Sequence, residues 1–382
     1  MIGQGRQDLS SHVGAPVPPL NAPTLSQAGG RASRRALLTS ARWTATLVAL
    51  GLAALAVLVA CLQFGAERIP PGEIVRVLVR VLLGDGETVA SSSSTGVIIL
   101  HLRLPRLLLA FLVGGSLAGV GVVLQALLRN PLADPYVLGI SSGAALGAAV
   151  AVLWGVGTTI LAVWTLPAFA FAGGLVSILL VYRIAETYGR LPVHTLLLAG
   201  VILNAVFSAL IMFITSVVSP TRSFAMLAWL MGTIGSPDYG TLAIVAVYLA
   251  IGGAVLLRQA RRLDLLTLGE DGARSLGVDL ESVKRTVFFT SALLTGAVVS
   301  QSGMIGFVGM VVPHAVRVIS GPDHRLLLPA SALVGGAFLM AADTLARTVL
   351  VPGEMPVGVV TALAGGPFFL YLLIRKKGGL SG

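Results

Sequence analysis

The sequence predicts an all-α, polytopic membrane protein with about ten transmembrane helices, and three observations predict it. Hydrophobic residues make up 55% of the 382-residue chain and charged residues only 11%, whereas a soluble domain carries about 25% charged residues. The mean hydropathy is +0.92. Apolar stretches of the roughly 20 residues that cross a bilayer recur along nearly the whole chain beyond its N-terminal tail. Hydrocarbon offers no partner to a backbone N–H or C=O, so only helices and closed barrels can span it. The stretches show no period-two alternation, which selects helices.

Taken in order, residues 1–40 are rich in Gly, Pro, Ser and Arg and read as a disordered, basic, cytoplasmic tail. Residues 41–382 read as one transmembrane domain. Arg31, Arg34, Arg35 and Arg42 precede the first span (44–64) with no convincing cleavage site, which reads as an uncleaved anchor. The second span (104–128) opens at Pro105, a residue suited to a first helical turn. Asn130-Pro131 stops it, and Pro135 starts the third (136–154). The remaining spans, set by unbroken apolarity, are 160–181, 195–216, 241–257, 286–301, 303–319, 326–346 and 357–374.

An even number of spans places both termini on one side, and loop arginines and lysines choose it. The side of the amino terminus holds Arg129, Arg183, Arg190, the cluster from Arg258 to Arg285, Arg317, Arg325 and the tail Arg375, Lys376 and Lys377. The opposite loops mix Arg68, Arg76, Arg80, Arg103, Arg106, Arg222 and Arg347 with Glu67, Glu73, Asp85, Glu87, Asp238 and Glu354. Both termini are therefore expected in the cytoplasm of a plasma membrane. The net charge of +10 belongs to such loops rather than to a nucleic-acid surface. The single cysteine, Cys61, excludes a disulfide within the chain.

Several motifs carry possible chemistry. "RLPR" (Arg103–Arg106) sets two arginines three residues apart at an outer mouth, either as a snorkelling anchor or as a docking point for an acidic partner. The inner loop 258–285 holds two short helical pieces ended by Gly269 and Gly277, and suggests a socket for a soluble protein. "GISSG" (Gly139–Gly143) matches the G-x-S-x-G nucleophile pattern. With His194 or His314 it could form an intramembrane serine protease, but serines among Gly and Ala on a helix suit close packing better. No P-loop, no H-E-x-x-H and no cysteine pair occurs, so neither an ATPase site, a metal site nor a cofactor is expected. Few ionisable residues fall within the spans, which argues against an ion-coupled secondary transporter.

The stretch from Arg103 to Ala144 resembles the signature of the permease subunits of ABC importers for iron-siderophores, haem and vitamin B12. So do "GMIGFVGMVVPHAVR" (Gly303–Arg317), "ADTLAR" (Ala342–Arg347), "GEMPVGVVTALAGGPFF" (Gly353–Phe369), "LLLAGVILN" (Leu196–Asn204), "WLMGTIG" (Trp229–Gly235) and "LTLGEDGARSLGV" (Leu266–Val278). The resemblance implies ten helices per subunit, a second permease subunit (an identical or a similar chain), two cytoplasmic ATPase subunits and an extracytoplasmic substrate-binding protein. The cargo would be a ferric siderophore, or haem or cobalamin. It also implies roles. Arg103, Arg106 and Arg347 would accept carboxylates of the binding protein. Leu266, Leu268, Gly269, Glu270, Arg274, Leu276 and Gly277 would form the coupling surface for the ATPase, and Asn130, Leu132 and His194 a cytoplasmic gate. The family contains an inverted repeat; the echo of "LVGGS" (Leu112–Ser116) in "LVGGA" (Leu333–Ala337), and of Pro131/Pro135 in Pro352/Pro356, reads here as compositional.

Overall fold

The computed structural model describes residues 40–65, 67–84, 93–155 and 162–378. The expected tail, apart from its last residue, and the centre of the first outer loop lie outside the described residues. The regular secondary structure of the described residues is helical, with a lone backbone bridge between Thr187 and Arg190 in one turn.

Each of the ten expected spans coincides with a helix. They are α1 (Ser40–Gln63), α3 (Ser94–Leu127), α4 (Ile140–Leu153), α5 (Ala162–Ala185), α6 (Val193–Val217), α8 (Tyr239–Arg258), α11 (Leu280–Ser302), α12 (Val308–Ser320), α13 (His324–Thr348) and α14 (Val357–Gly378). Four shorter helices join them: α2 (Pro71–Leu82), α7 (Pro220–Leu230), α9 (Ala260–Leu266) and α10 (Glu270–Ser275). Aspartates open several of these elements. Asp238 accepts from the Thr241 N–H at 2.9 Å, Asp279 from Ser282 at 3.2 Å and Asp323 from Arg325 at 3.0 Å, each satisfying a donor left free in a first turn.

Several boundaries differ from expectation by four residues or more, and three of them have a clear local reason. α3 begins ten residues earlier than its apolar stretch, because Ser93 caps it through the Gly96 N–H and a π turn at Ile98–Arg103 carries it into the bilayer. α4 begins at Ile140, since Pro135–Leu138 form a tight 3-10 turn ended by Gly139 at φ 78°. α12 begins at Val308 rather than at residue 303, because Gly303 and Phe307 stand at φ 66° and 68°. α2 and α7 escape a search for long apolar runs, being short and interrupted by arginine.

α3 is the centre of the bundle. Of its most apolar window 78% is buried, against 17% for α1 and 28% for α6 and α8. Its most extensive partner is α13, and it also packs on α11, α12 and α8. The echoed motifs turn out to face one another. A Cβ on Gly114 would stand 2.3 Å from the Gly335 carbonyl oxygen, and one on Gly335 would stand 2.5 Å from the Gly114 carbonyl oxygen. A Cβ on Gly121 would lie 1.8 Å from the Gly309 oxygen of α12. Helices in lipid gain little from hydrophobicity and associate by close backbone packing, which small residues permit.

Irregular backbone inside the bundle is held by protein. Thr233 donates to Ser302 O at 2.8 Å and Val357 to Gly232 O at 3.0 Å. "WLMGTIG", "GMIGF" and the start of α14 thus converge on one shared hydrogen-bonded knot, which a membrane tolerates only where protein covers it.

The α3 crossings predict a sharp contrast. Gly121→Val should abolish recovery of folded, monodisperse protein in detergent. Gly119→Val, where nothing lies within 4 Å of the added Cβ, should fold with a melting temperature near that of the unaltered chain.

Candidate functional site

α3 carries a candidate site at each end. At the first, the helix was expected to present Arg103 and Arg106 on one face. The π turn parts them instead. Arg103 is 5% exposed and donates to Leu62 O at 2.7 Å and to Glu67 O, clasping the chain that leaves α1. Arg106 reaches the opposite way. Its Nε and Nη2 donate to Asp343 of α13 at 3.0–3.2 Å, and its Nη1 and Nη2 to Glu354 at 3.2 and 2.9 Å. Arg347, one turn beyond Asp343, sets its Nε 3.1 Å from the same carboxylate. Asp343 is wholly buried and Glu354 is 54% exposed. Arg106 and Arg347 gather around one buried carboxylate, and Glu354 shields the more accessible of the two.

The second end holds the turn from Leu128 to Asp134. Asn130 accepts from the Leu132 N–H at 2.9 Å, an Asx turn, and Leu132 is 41% exposed. Asp134 accepts from Tyr136 N–H at 3.0 Å. Burial pushes its carboxyl up to about 6, against the opposing pull of that N–H. The 3-10 turn is tied down by Asn204 of "LLLAGVILN", which donates to Tyr136 O at 3.0 Å and accepts from Ser142 Oγ at 2.5 Å. Ser142 also donates to Gly139 O at 3.0 Å, and Ser141 is fully buried. Both serines are packed among small residues, as their setting suggests.

Beside this turn lies the α9–α10 loop. Glu270, at the start of α10, sits 3.3 Å from Arg129 and 3.1 Å from Lys284 of α11. Lys284 is nearly buried and also meets Glu281 at 3.4 Å. Glu281 in turn accepts from the Leu191 N–H at 2.8 Å. These groups, with His194 and Arg274, line a cavity of 610 Å³. Asp264 of α9 pins the loop to α13, accepting from the His324 N–H at 3.0 Å and lying 2.5 Å from His324 Nδ1. The two glycines take their expected places, at φ 110° for Gly269 and 81° for Gly277. Leu266 is buried, whereas Leu268 and Leu276 are 69% and 60% exposed, and Arg274 projects outward beside them. His194 is exposed and joins Arg129 in the cavity, while Asn130 and Leu132 lie outside its lining.

Residues 52–375 match the pattern described as the FecCD transport family. The chain belongs to that family. This FecCD chain is 47% identical over 282 residues to the cobalamin import system permease protein of Halobacterium salinarum, covering 74% of each. It is 43% identical over 285 residues to the hemin transport system permease protein of Yersinia pestis, covering 74% of this chain and 85% of that one. Its fold matches a metal-chelate type ABC transporter solved in an inward-facing conformation, with a TM-score of 0.73 at 30% identity, over 87% of this chain and 99% of the other. It is a multi-pass membrane transport protein. Among the described residues no cluster of metal-ligating side chains occurs.

Sequence reasoning passed over Asp343, Lys284 and Asn204, each polar and each with at least one partner far away in sequence. The signal available for Asp343 was its presence in an apolar span, where an ionisable group needs a partner. Asp343→Asn would leave two arginines beside a neutral amide, and is expected to cost ~3–5 kcal/mol, read as a fall in the melting temperature of the solubilised protein. Asp134 predicts a pH effect. A carboxyl held above its unfolded range of about 4 favours folding at low pH, and that advantage is lost as pH rises through about 6. Asp134→Asn should flatten the stability profile across this window.

Proposed function

We propose that this chain is the permease subunit of an ABC importer in the plasma membrane, both termini cytoplasmic. It would pair with a second permease subunit around a central path and import a metal chelate: a ferric siderophore, haem or cobalamin. Two separate ATPase subunits would supply the energy, and a substrate-binding protein outside would deliver the cargo. The observation that carries this reading is the α9–α10 loop. Leu268 and Leu276 stand exposed on it, and it is bolted to the bundle by buried charge. Two leucines exposed near one another on an otherwise polar loop suit a surface that a protein partner covers, and the soluble partner a permease needs is its ATPase. The relatives' permease names support the same reading.

The geometry supplies a coupling route. A push on α10 moves Glu270, and Glu270 grips both Lys284 on α11 and Arg129 beside the turn that ends α3. Asp264 transmits the same push to α13 through His324. The turn from Asn130 to Leu132, stiffened by Pro131 and Pro135, moves as a unit and gates the inner end together with His194. At the outer end, Arg106 is the docking arginine. Glu354 fills the place that a binding-protein carboxylate takes on docking, bidentate to the guanidinium. Arg103 and Arg347 hold that corner of α3 and α13 in position.

Reconstituted vesicles with the ATPase and binding protein supplied should accumulate one of the three chelates only with ATP. Uptake driven by a proton gradient without the ATPase would overturn the reading. Arg106→Gln should weaken binding-protein docking at least tenfold while the ATPase still copurifies. Changing Glu270 and Arg274 should do the reverse.

A further inference from the structure

Away from both ends, the flank of the bundle holds an apolar cavity of 420 Å³ walled by α1, α3, α8 and α13. It exists because side chains are missing. Gly119 on α3 and Gly253 on α8 both line it, and neither has an atom within 4 Å of the place a Cβ would occupy. Leu47, Leu256 and Leu328 close one end. The flank faces outward, since α1 and α8 are among the least buried spans, at 17% and 28% of their windows. A dry apolar void forfeits the contacts of its lining atoms, and in a bilayer the material at hand to restore them is an acyl chain.

Charged groups gather at the leucine end, whereas Ser116 is a polar side chain of the lining itself. Trp43 precedes Leu47 by four residues on α1, and Arg325 precedes Leu328 by three on α13, spacings that share a helix face. The Arg325 guanidinium lies 4.5 Å from the Trp43 ring centroid. Asp323 occupies the Nε and Nη2 edge of Arg325 at 3.1 and 2.7 Å, which leaves the Nη1 donors. The Trp43 Nε1–H has no acceptor among the described residues. Arg258 ends α8 two residues past Leu256, and Arg261 and Arg262 follow it exposed.

We propose that this cavity is a binding site for an anionic glycerophospholipid. One acyl chain fills the space beside Gly119 and Gly253. The phosphate is held by Arg325 Nη1, with the guanidinium backed by the Trp43 ring, within the field of the arginines that end α8. Basic pockets between membrane helices select anionic headgroups in this way, and tryptophan is enriched at the membrane interface where such headgroups lie. The site lies on the lipid-facing flank, and does not depend on the cargo or on the transport reading.

The test uses the full-length chain in detergent, incubated with phosphatidylglycerol or with phosphatidylcholine of matched acyl chains, and reads retained lipid by native mass spectrometry. The unaltered chain should retain phosphatidylglycerol about fivefold better, the ratio that ~1 kcal/mol per basic side chain corresponds to. Arg325→Gln should bring phosphatidylglycerol down to the phosphatidylcholine level. Gly253→Leu should remove the retained lipid of either kind, whereas Gly253→Ala should keep it. Leu47→Trp fills the same space from the exposed helix, and carries the test should Gly253→Leu not fold. Equal retention of the two lipids by the unaltered chain, or full retention of phosphatidylglycerol by a folded cavity-filling variant, overturns the proposal. So does a second copy of the chain covering this flank in a lipid-free dimer.

Discussion

The close crossing of α3 with α13 and α12 is the contact on which the rest of the structure depends. Backbone meets backbone there, at Gly114 with Gly335 and at Gly121 with Gly309. No side chain can be slipped between these helices, so α3 behaves as a fixed spine. Both candidate sites hang from its ends. Arg103 and Arg106 stand at one end, and Arg129 and Asn130 follow the other. A displacement at either end is therefore felt along one stiff element rather than absorbed in a soft core.

Charge is used sparingly, and each charge deep in the bundle is answered. Asp343 is wholly buried and meets two arginines. Lys284, only 5% exposed at its side chain, meets Glu270 and Glu281. Burying an ion costs several kcal/mol unless geometry returns it, so such clusters add more to specificity than to stability. Here each joins elements far apart in sequence: α3 with α13 at one end, and the Arg129 turn with the α10–α11 pair at the other. The polar groups thus specify which helices meet, where greasy surfaces alone would leave several packings of similar energy.

Much of this arrangement could be read directly from the chain. Long apolar runs gave the ten spans, since a backbone in hydrocarbon has almost no choice but helix. Gly269 and Gly277 marked the ends of the two loop helices, because residues at positive φ there favour glycine. The boundaries at Ile140 and Val308 were harder, as 3-10 and left-handed residues leave an apolar run unbroken. The site was legible in kind more than in detail. Arg103 and Arg106 were visible as costly residues at a helix mouth. Their divergence was not, because a π turn has no composition of its own. Glu270 was legible as a loop residue, but its inward turn toward Lys284 required the position of α11.

By itself the sequence determined the class of solvent, the number and rough limits of the spans, the basic face and the family, since each rests on local composition or on contiguous motifs. The tertiary structure decided the rest. It alone showed that two glycine echoes 221 residues apart are the two sides of one crossing. It also showed that Asp343 gathers two of the outer arginines, and that missing side chains on α3 and α8 leave a cavity on the flank of the bundle. These are matters of which helix lies beside which, and in a chain that is apolar almost everywhere the pairing is set by shape and a handful of buried charges rather than by any local pattern.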